Sequence, residues 1–315
     1  MIHHDFPYDS HPGNMPVRVF QNSIFKHVEN IGELTPEKHK TYVNNAKISD
    51  CIEYNIGKDQ ITLPRIRIAN RMICLQETFL GYLWAFCYSF LVITEEGIKQ
   101  NNNVEQYRII KFDTPALDKA LKLLNWAISL KNNFSEWPLD LPNPEYYEEN
   151  DQFYVEKANS IFMDAAAFYF LHEMSHAING HLDNAGTMDN SKNSKEIENE
   201  ADNYAISLML NDTYDEIHKF KVGYACILAM CACLPLTSKS KLASSTHPDI
   251  DTRIVNLVDK FGIENPNHML LFKSTLLNTF IVFRNIHELS ISTDLNKNID
   301  ELIDHYLYEF DGLKN

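Results

Sequence analysis

The chain has 315 residues, 44% hydrophobic and 23% charged, a balance that supports a buried core and excludes a disordered or low-complexity protein. Its formal charge is −15, from 28 basic and 43 acidic residues, so the mean field repels both a phosphate backbone and an anionic lipid surface. No nucleic-acid partner is expected, and MIHHDFPYDSHPGNMP at the start has neither the basic nor the apolar region of a secretory leader.

In chain order, residues 1–35 read as irregular, with short apolar pieces such as VRVF, and 36–47 as a short helix after Pro36. Between 51 and 76, CIEYNI, ITLPRIRIA and RMICLQ are β-branched and partly alternating, broken by Gly57-Lys58-Asp59, which predicts a small sheet or hairpin. TFLGYLWAFCYSFLVI (78–93) and VGYACILAMCACLPL (222–236) are apolar runs of 16 and 15 residues. A spanning helix needs about 20. Both are read as buried helices, with Tyr82, Trp84 and Tyr88 in the core, and no stable membrane insertion is expected. A polar tether follows at 99–106, then a helix over 114–130. Residues 132–152 form a proline-rich loop whose EYYEEND reads as a solvated acidic face. A long helix over 153–179 is stopped by Gly180.

After a polar loop at 184–195 come helices at 196–210 and 215–234, then a second polar loop, SKSKLASS. Thr246, with Asp249 at capping-box spacing and Pro248 in the first turn, is expected to open the next helix. Two or three more helices complete the chain. The organisation is that of a single domain, 1–315, of predominantly helical α+β class: irregular 1–50, a small sheet at 51–76, a helical core at 78–260 and terminal helices at 261–315. The six cysteines (51, 74, 87, 226, 231, 233) lack C-x-x-C spacing and read as free, mostly buried thiols of a reducing, cytoplasmic protein.

The chemistry concentrates in LHEMSHAINGH, 171–181. His172-Glu173-Met174-Ser175-His176 is H-E-x-x-H inside a predicted helix, where i and i+4 share a face and two imidazoles can bind one zinc ion. Glu173 lies about 100° round the helix, placed for the metal's water rather than the metal. The third ligand is not at H-x-x-G-x-x-H spacing, because Asn179 and Leu182 occupy the required positions. His181 reads as a surface or capping histidine. Across the polar loop, Glu198-Asn199-Glu200-Ala201-Asp202 begins 22 residues after His176. Glu198 and Asp202 share a helix face, so one can ligate while the other accepts the free N–H of a ligating histidine. One zinc per chain is expected.

H-E-x-x-H followed by E-x-E-A-D and then STHP…RI at 245–254 resembles the gluzincin metallopeptidases, including the HtpX-like membrane proteases. A closer resemblance is to the Lit phage-exclusion peptidase family. It rests on YLWAF (82–86), SEWP (135–138), LHEMSHAINGH, EIENEADNYA (196–205) and THPDIDTRI (246–254), in the same order and at similar spacing, over roughly 50–260. The resemblance implies a gluzincin-like active-site helix and a latent cytoplasmic zinc endopeptidase. Such an enzyme cleaves translation elongation factor Tu when a phage-derived activating peptide is presented with it. By motif position it implies His172 and His176 as zinc ligands, Glu198 as the glutamate ligand and Glu173 as the catalytic glutamate. His247, in the T-H-P segment, is left as an oxyanion donor, a plug on the zinc or a helix cap. Arg253 is an alternative donor or the partner of an acidic neighbour. A zinc peptidase acting on a repressor or antitoxin, and a non-catalytic zinc-stabilised binding protein, are the competing readings.

Overall fold

The computed structural model describes residues 2–3, 12–31, 36–45, 47–49, 51–100, 110–111, 113–183, 194–210, 214–239, 242, 249–291 and 297–314. At its centre lies α3 (Glu77–Gln100), apolar on every face. Phe79, Tyr82, Leu83, Trp84, Phe86, Tyr88 and Phe90 are all fully buried. Four helices surround it: α4 (Pro115–Ser129), α5 (Gln152–Ile178), α7 (Glu216–Cys233) and α9 (Pro266–Ile286). The polar tips of Tyr82 and Trp84 are satisfied inside the core. The Tyr82 hydroxyl donates to the Ala232 carbonyl at 2.6 Å and Trp84 Nε1 donates to Asn159 Oδ1 at 2.8 Å.

Both apolar runs belong to helices longer than the runs themselves. The first helix runs on through TEEGIKQ to Gln100, absorbing the start of the expected tether, and the second reaches the 3₁₀ turn at Leu234–Leu236. By length and composition both can cross a membrane; in this fold 100% and 67% of their most apolar stretches are buried against the protein itself. The rest of the tether, 101–106, lies outside the described residues.

The N-terminal segment also departs from expectation. Pro16–Phe20 is a 3₁₀ helix leading into α1 (Gln21–Glu29), where irregular chain was expected; α2 (Pro36–Asn44) is the expected short helix after Pro36. Val17, Phe20, Ile24 and Val28 recur at helical spacing and are buried; α1 packs on α5. The acidic loop is likewise not fully solvated. Glu145 is buried and bonded by Arg18 at 2.7 Å, and buried Asp151 takes Lys119 at 2.7 Å. Within that loop β5 (Tyr146–Tyr147) pairs antiparallel with β1 (Ile2–His3).

The small sheet has the order β2 (Ile52–Asn55), β4 (Ile73–Gln76), β3 (Arg65–Ile66), parallel across the first pair and antiparallel across the second. β3 is an edge strand and faces α5. The turn between β3 and β4 holds Arg71 in a left-handed conformation, φ 53°, and its guanidinium reaches Asp183 just beyond α5 at 2.5 Å. That ion pair ties the hairpin to the end of the helix.

α6 spans Ser194–Met209 and packs along α5. α8 begins at Ile250, with Asp249 at the N-cap position and no side-chain cap bond, so the helix starts later than Thr246. The Asp249 carboxylate is instead drawn to Lys314 of α10 (Ile299–Lys314), 3.2 Å away. Thr246 and Pro248 lie outside the described residues. All six cysteines are free; four are buried, Cys233 is half-buried and Cys51 is exposed.

The packing around α3 is directly testable. Phe86→Ala empties a fully buried site and is expected to cost about 3–5 kcal/mol in urea unfolding. Leu139→Ala, at a fully exposed position, should stay within about 0.5 kcal/mol of wild type.

Candidate active site

The last two turns of α5 carry His172, Glu173 and His176, and the start of α6 brings Glu198 and Asp202 against them. His172 Nε2 and His176 Nε2 are 3.2 Å apart. Glu198 approaches the first through Oε2 at 3.4 Å and the second through Oε1 at 3.7 Å. A tetrahedral ion with ligand bonds near 2.1 Å separates its ligand atoms by about 3.4 Å. Glu198 meets the two rings with different oxygens, and one ligand atom from each of the three residues lies within 4.8 Å of the others, close enough to converge on such an ion. Two imidazoles and a carboxylate also form a donor set suited to a borderline-soft divalent cation.

Asp202 takes the other side of His172, with Oδ1 2.9 Å from Nδ1. The approach lies off the straight N–H···O line, so it acts first as a charge contact. Asp202 in turn is gripped by Arg253 of α8, which donates Nε to Oδ2 at 2.9 Å and Nη2 to Oδ1 at 2.8 Å. Arg253 Nη1 lies 3.5 Å from Glu198 Oε2. Of the two readings of Arg253 the geometry favours the ion pair, because the guanidinium is spent on two carboxylates. His247 lies outside the described residues, and with it the oxyanion, plug and cap alternatives.

Two features had no signal in the side-chain pattern. The first is the backbone amide of Ile66 on β3, which donates to Glu173 Oε2 at 2.9 Å. The edge strand thus fixes the carboxylate expected to act as base. The second is His181. Its ring is 4% exposed, not a surface group, and its Nδ1 is 3.1 Å from His176 Nδ1.

Burial dominates the electrostatics. It works against charge on His172, but the Asp202 and Glu198 carboxylates outweigh it and push the ring up to about 10. Burial, helped by the neighbouring His172, drives His176 down to about 4. Burial raises Glu173 to about 7, with His172 and the Ile66 amide opposing. For Asp202, burial is overcome by His172 and Arg253, which hold the carboxyl below its ordinary range. His172, Glu173, His176, Glu198 and Arg253 line a cavity of about 500 Å³ together with the apolar Leu63, Pro64, Phe168, Met230 and Leu236. Such a cleft suits an extended chain with an apolar side group.

A profile of the Peptidase U49 family matches residues 73–273, a span holding α3, both site helices and Arg253. The chain belongs to the Peptidase U49 family. Among proteins of known role it is similar to the cell death peptidase of Escherichia coli (strain K12), at 28% identity over 242 residues, covering 74% of this chain and 78% of the relative. No solved structure gives a significant match. As a U49 peptidase the protein hydrolyses peptide bonds, and the cavity at the end of α5 is where His172, Glu173, His176 and Glu198 converge.

Arg253 is the electrostatic keystone of that convergence. Arg253→Ala removes one of the two cations that offset buried Asp202 and Glu198, leaving His172 alone against both, and should cost about 3–5 kcal/mol in urea unfolding of the metal-depleted chain. A loss below about 1 kcal/mol would contradict the ion-pair role.

Proposed function

We propose that this U49 peptidase is a zinc-dependent endopeptidase of gluzincin type, acting in the cytoplasm in phage exclusion on a host protein. The observation that carries the reading is the His172, His176 and Glu198 donor triangle beside the Glu173 carboxylate. His172, His176 and Glu198 would hold the metal. Zinc bound there would supply Lewis acidity, polarising the scissile carbonyl and acidifying the attacking water.

The chain's own residues do the remainder. Glu173, raised by burial to about 7, is suited to take a proton from the attacking water and return it to the leaving nitrogen. The Ile66 amide keeps one of its oxygens in place and leaves the other for that transfer. Beyond the Ile66 amide already given to Glu173, the edge of β3 and the Leu63-Pro64 segment before it lie beside the cavity for an extended substrate, and the apolar lining limits water around the scissile bond. A purely structural metal site would have no use for a carboxylate held in this way, which disfavours a non-catalytic binding protein.

For the substrate, the similarity to a cell death peptidase favours an essential host protein. By family resemblance the target is elongation factor Tu, with a phage-derived peptide as trigger. The decisive experiment maps new protein N-termini in cells expressing wild type or Glu173→Gln, with and without phage infection. A wild-type-specific cut in the elongation factor supports the reading; a cut only in a repressor or antitoxin replaces the substrate while keeping the enzyme.

Zinc content tests the centre separately. Wild type and Glu173→Gln should each hold about one zinc per chain, with hydrolysis lost in the variant, and His176→Ala should lose most of the metal. Asp202→Ala should weaken zinc affinity by about 10–100-fold. The pH sign follows from His172. Its proton is retained up to about 10 in the metal-depleted chain and must leave before Nε2 can ligate. Affinity should therefore rise by about tenfold per pH unit from 6 to 9, read by chelator competition; a flat profile would contradict the assignment.

A further inference from the structure

His181 is the least expected group near the site. A neutral imidazole buried with an unsatisfied nitrogen is costly, and here both nitrogens have partners. Nδ1 meets His176 Nδ1 at 3.1 Å and Nε2 meets Glu200 Oε2 at 3.2 Å. The approach is built by the backbone. Gly180, at φ +76°, ends α5 in a Schellman turn: His181 N–H donates to the His176 carbonyl at 2.9 Å and Gly180 N–H to the Ala177 carbonyl at 3.4 Å. That reversal folds residue 181 back over residue 176. α6, which presents Glu198 to the donor triangle, presents Glu200 to His181.

The tautomers follow from the ligand role. If His176 ligates through Nε2, that nitrogen must keep its lone pair, so the ring proton sits on Nδ1 and is donated to His181 Nδ1. His181 must then accept there and carry its own proton on Nε2, which it donates to Glu200. Each bond has one proton and one acceptor, and the chain has a single direction, ending on a carboxylate. His172 also has a carboxylate beside its Nδ1, with Asp202 Oδ1 2.9 Å away as a charge contact and no ring between.

We infer that His181 and Glu200 are positioning residues that fix the tautomer and ring angle of His176 and raise its strength as a metal ligand. The inference rests on the reading of the cluster as a zinc centre and extends it to groups that no motif assigns. Both ligating histidines are then backed by carboxylates, Asp202 for one and Glu200 through a second histidine for the other.

The test uses the full metal-depleted chain. Zinc affinity is measured by competition with a chromophoric chelator, and thermal unfolding of the metal-depleted proteins is run beside it. Glu200 is 40% exposed, so Glu200→Gln should fold normally. It keeps an acceptor and removes the charge, and should bind zinc about tenfold more weakly with an unchanged metal-free midpoint. His181→Phe keeps a ring and removes the acceptor, and should lose about 100-fold. His181→Gln, whose amide oxygen can take the Nδ1 proton, should recover most of that loss. Wild-type affinity in both Glu200→Gln and His181→Phe overturns the relay and leaves the zinc reading standing. Weakened binding that merely tracks a lowered metal-free midpoint overturns it in favour of a packing role. A wild type that takes up no zinc overturns the zinc reading and the relay together.

Discussion

Everything at this site depends on burying ionised groups between α5 and α6 without leaving any of them uncompensated. Isolated charges in such a place would neutralise or unfold the protein. The chain meets the constraint by interleaving signs: Asp202 stands between His172 and Arg253, and Glu198 stands between the two imidazoles and the same guanidinium. The position of α8 follows from this, because Arg253 has to reach both carboxylates. Lys314 then holds the start of α8 through Asp249 and Asp251, so the last turn of α10 is coupled electrostatically to the site.

The core explains why those helices are rigid enough to hold His172, His176 and Glu198 together. α5 is packed on α3 along one side and on α6 and α7 along others, and its hydrophobic residues are distributed around the whole circumference. Such a helix cannot rotate to relieve a poor ligand angle. The sheet adds the remaining constraint. Its β3 edge is tied to the helix end by Arg71 and Asp183 and to the helix body by the bond from the Ile66 amide to Glu173. The Glu173 carboxylate is therefore held by the sheet as well as by α5, from which His172 and His176 also project.

Much of this was legible in sequence, for identifiable reasons. His172 with His176 and Glu198 with Asp202 are i, i+4 pairs on helices, and helical geometry alone puts each pair on one face. The apolar runs gave the core, although their lengths understated the helices that contain them. His181 escaped because its position depends on a chain reversal at Gly180, whose outcome is tertiary. Ile66 escaped because its contribution is a backbone amide, which no side chain announces. Glu145 and Asp151 looked like solvent-facing acids in a charged loop, since their cations, Arg18 and Lys119, come from distant segments. The α1 helix was hidden by the irregular look of the residues around it.

The distance along the chain between Asp202 and Arg253 has a consequence for biosynthesis. The two residues are 51 positions apart. At translation speeds of about 5–20 residues per second, the ribosome adds Arg253 some 3–10 s after Asp202. During that interval α5 and α6 have both been made, yet the carboxylates between them have no guanidinium to neutralise them. A nascent chain therefore cannot close this cavity in its final form, and hydrolytic competence belongs to chains that have cleared the exit tunnel well past residue 253.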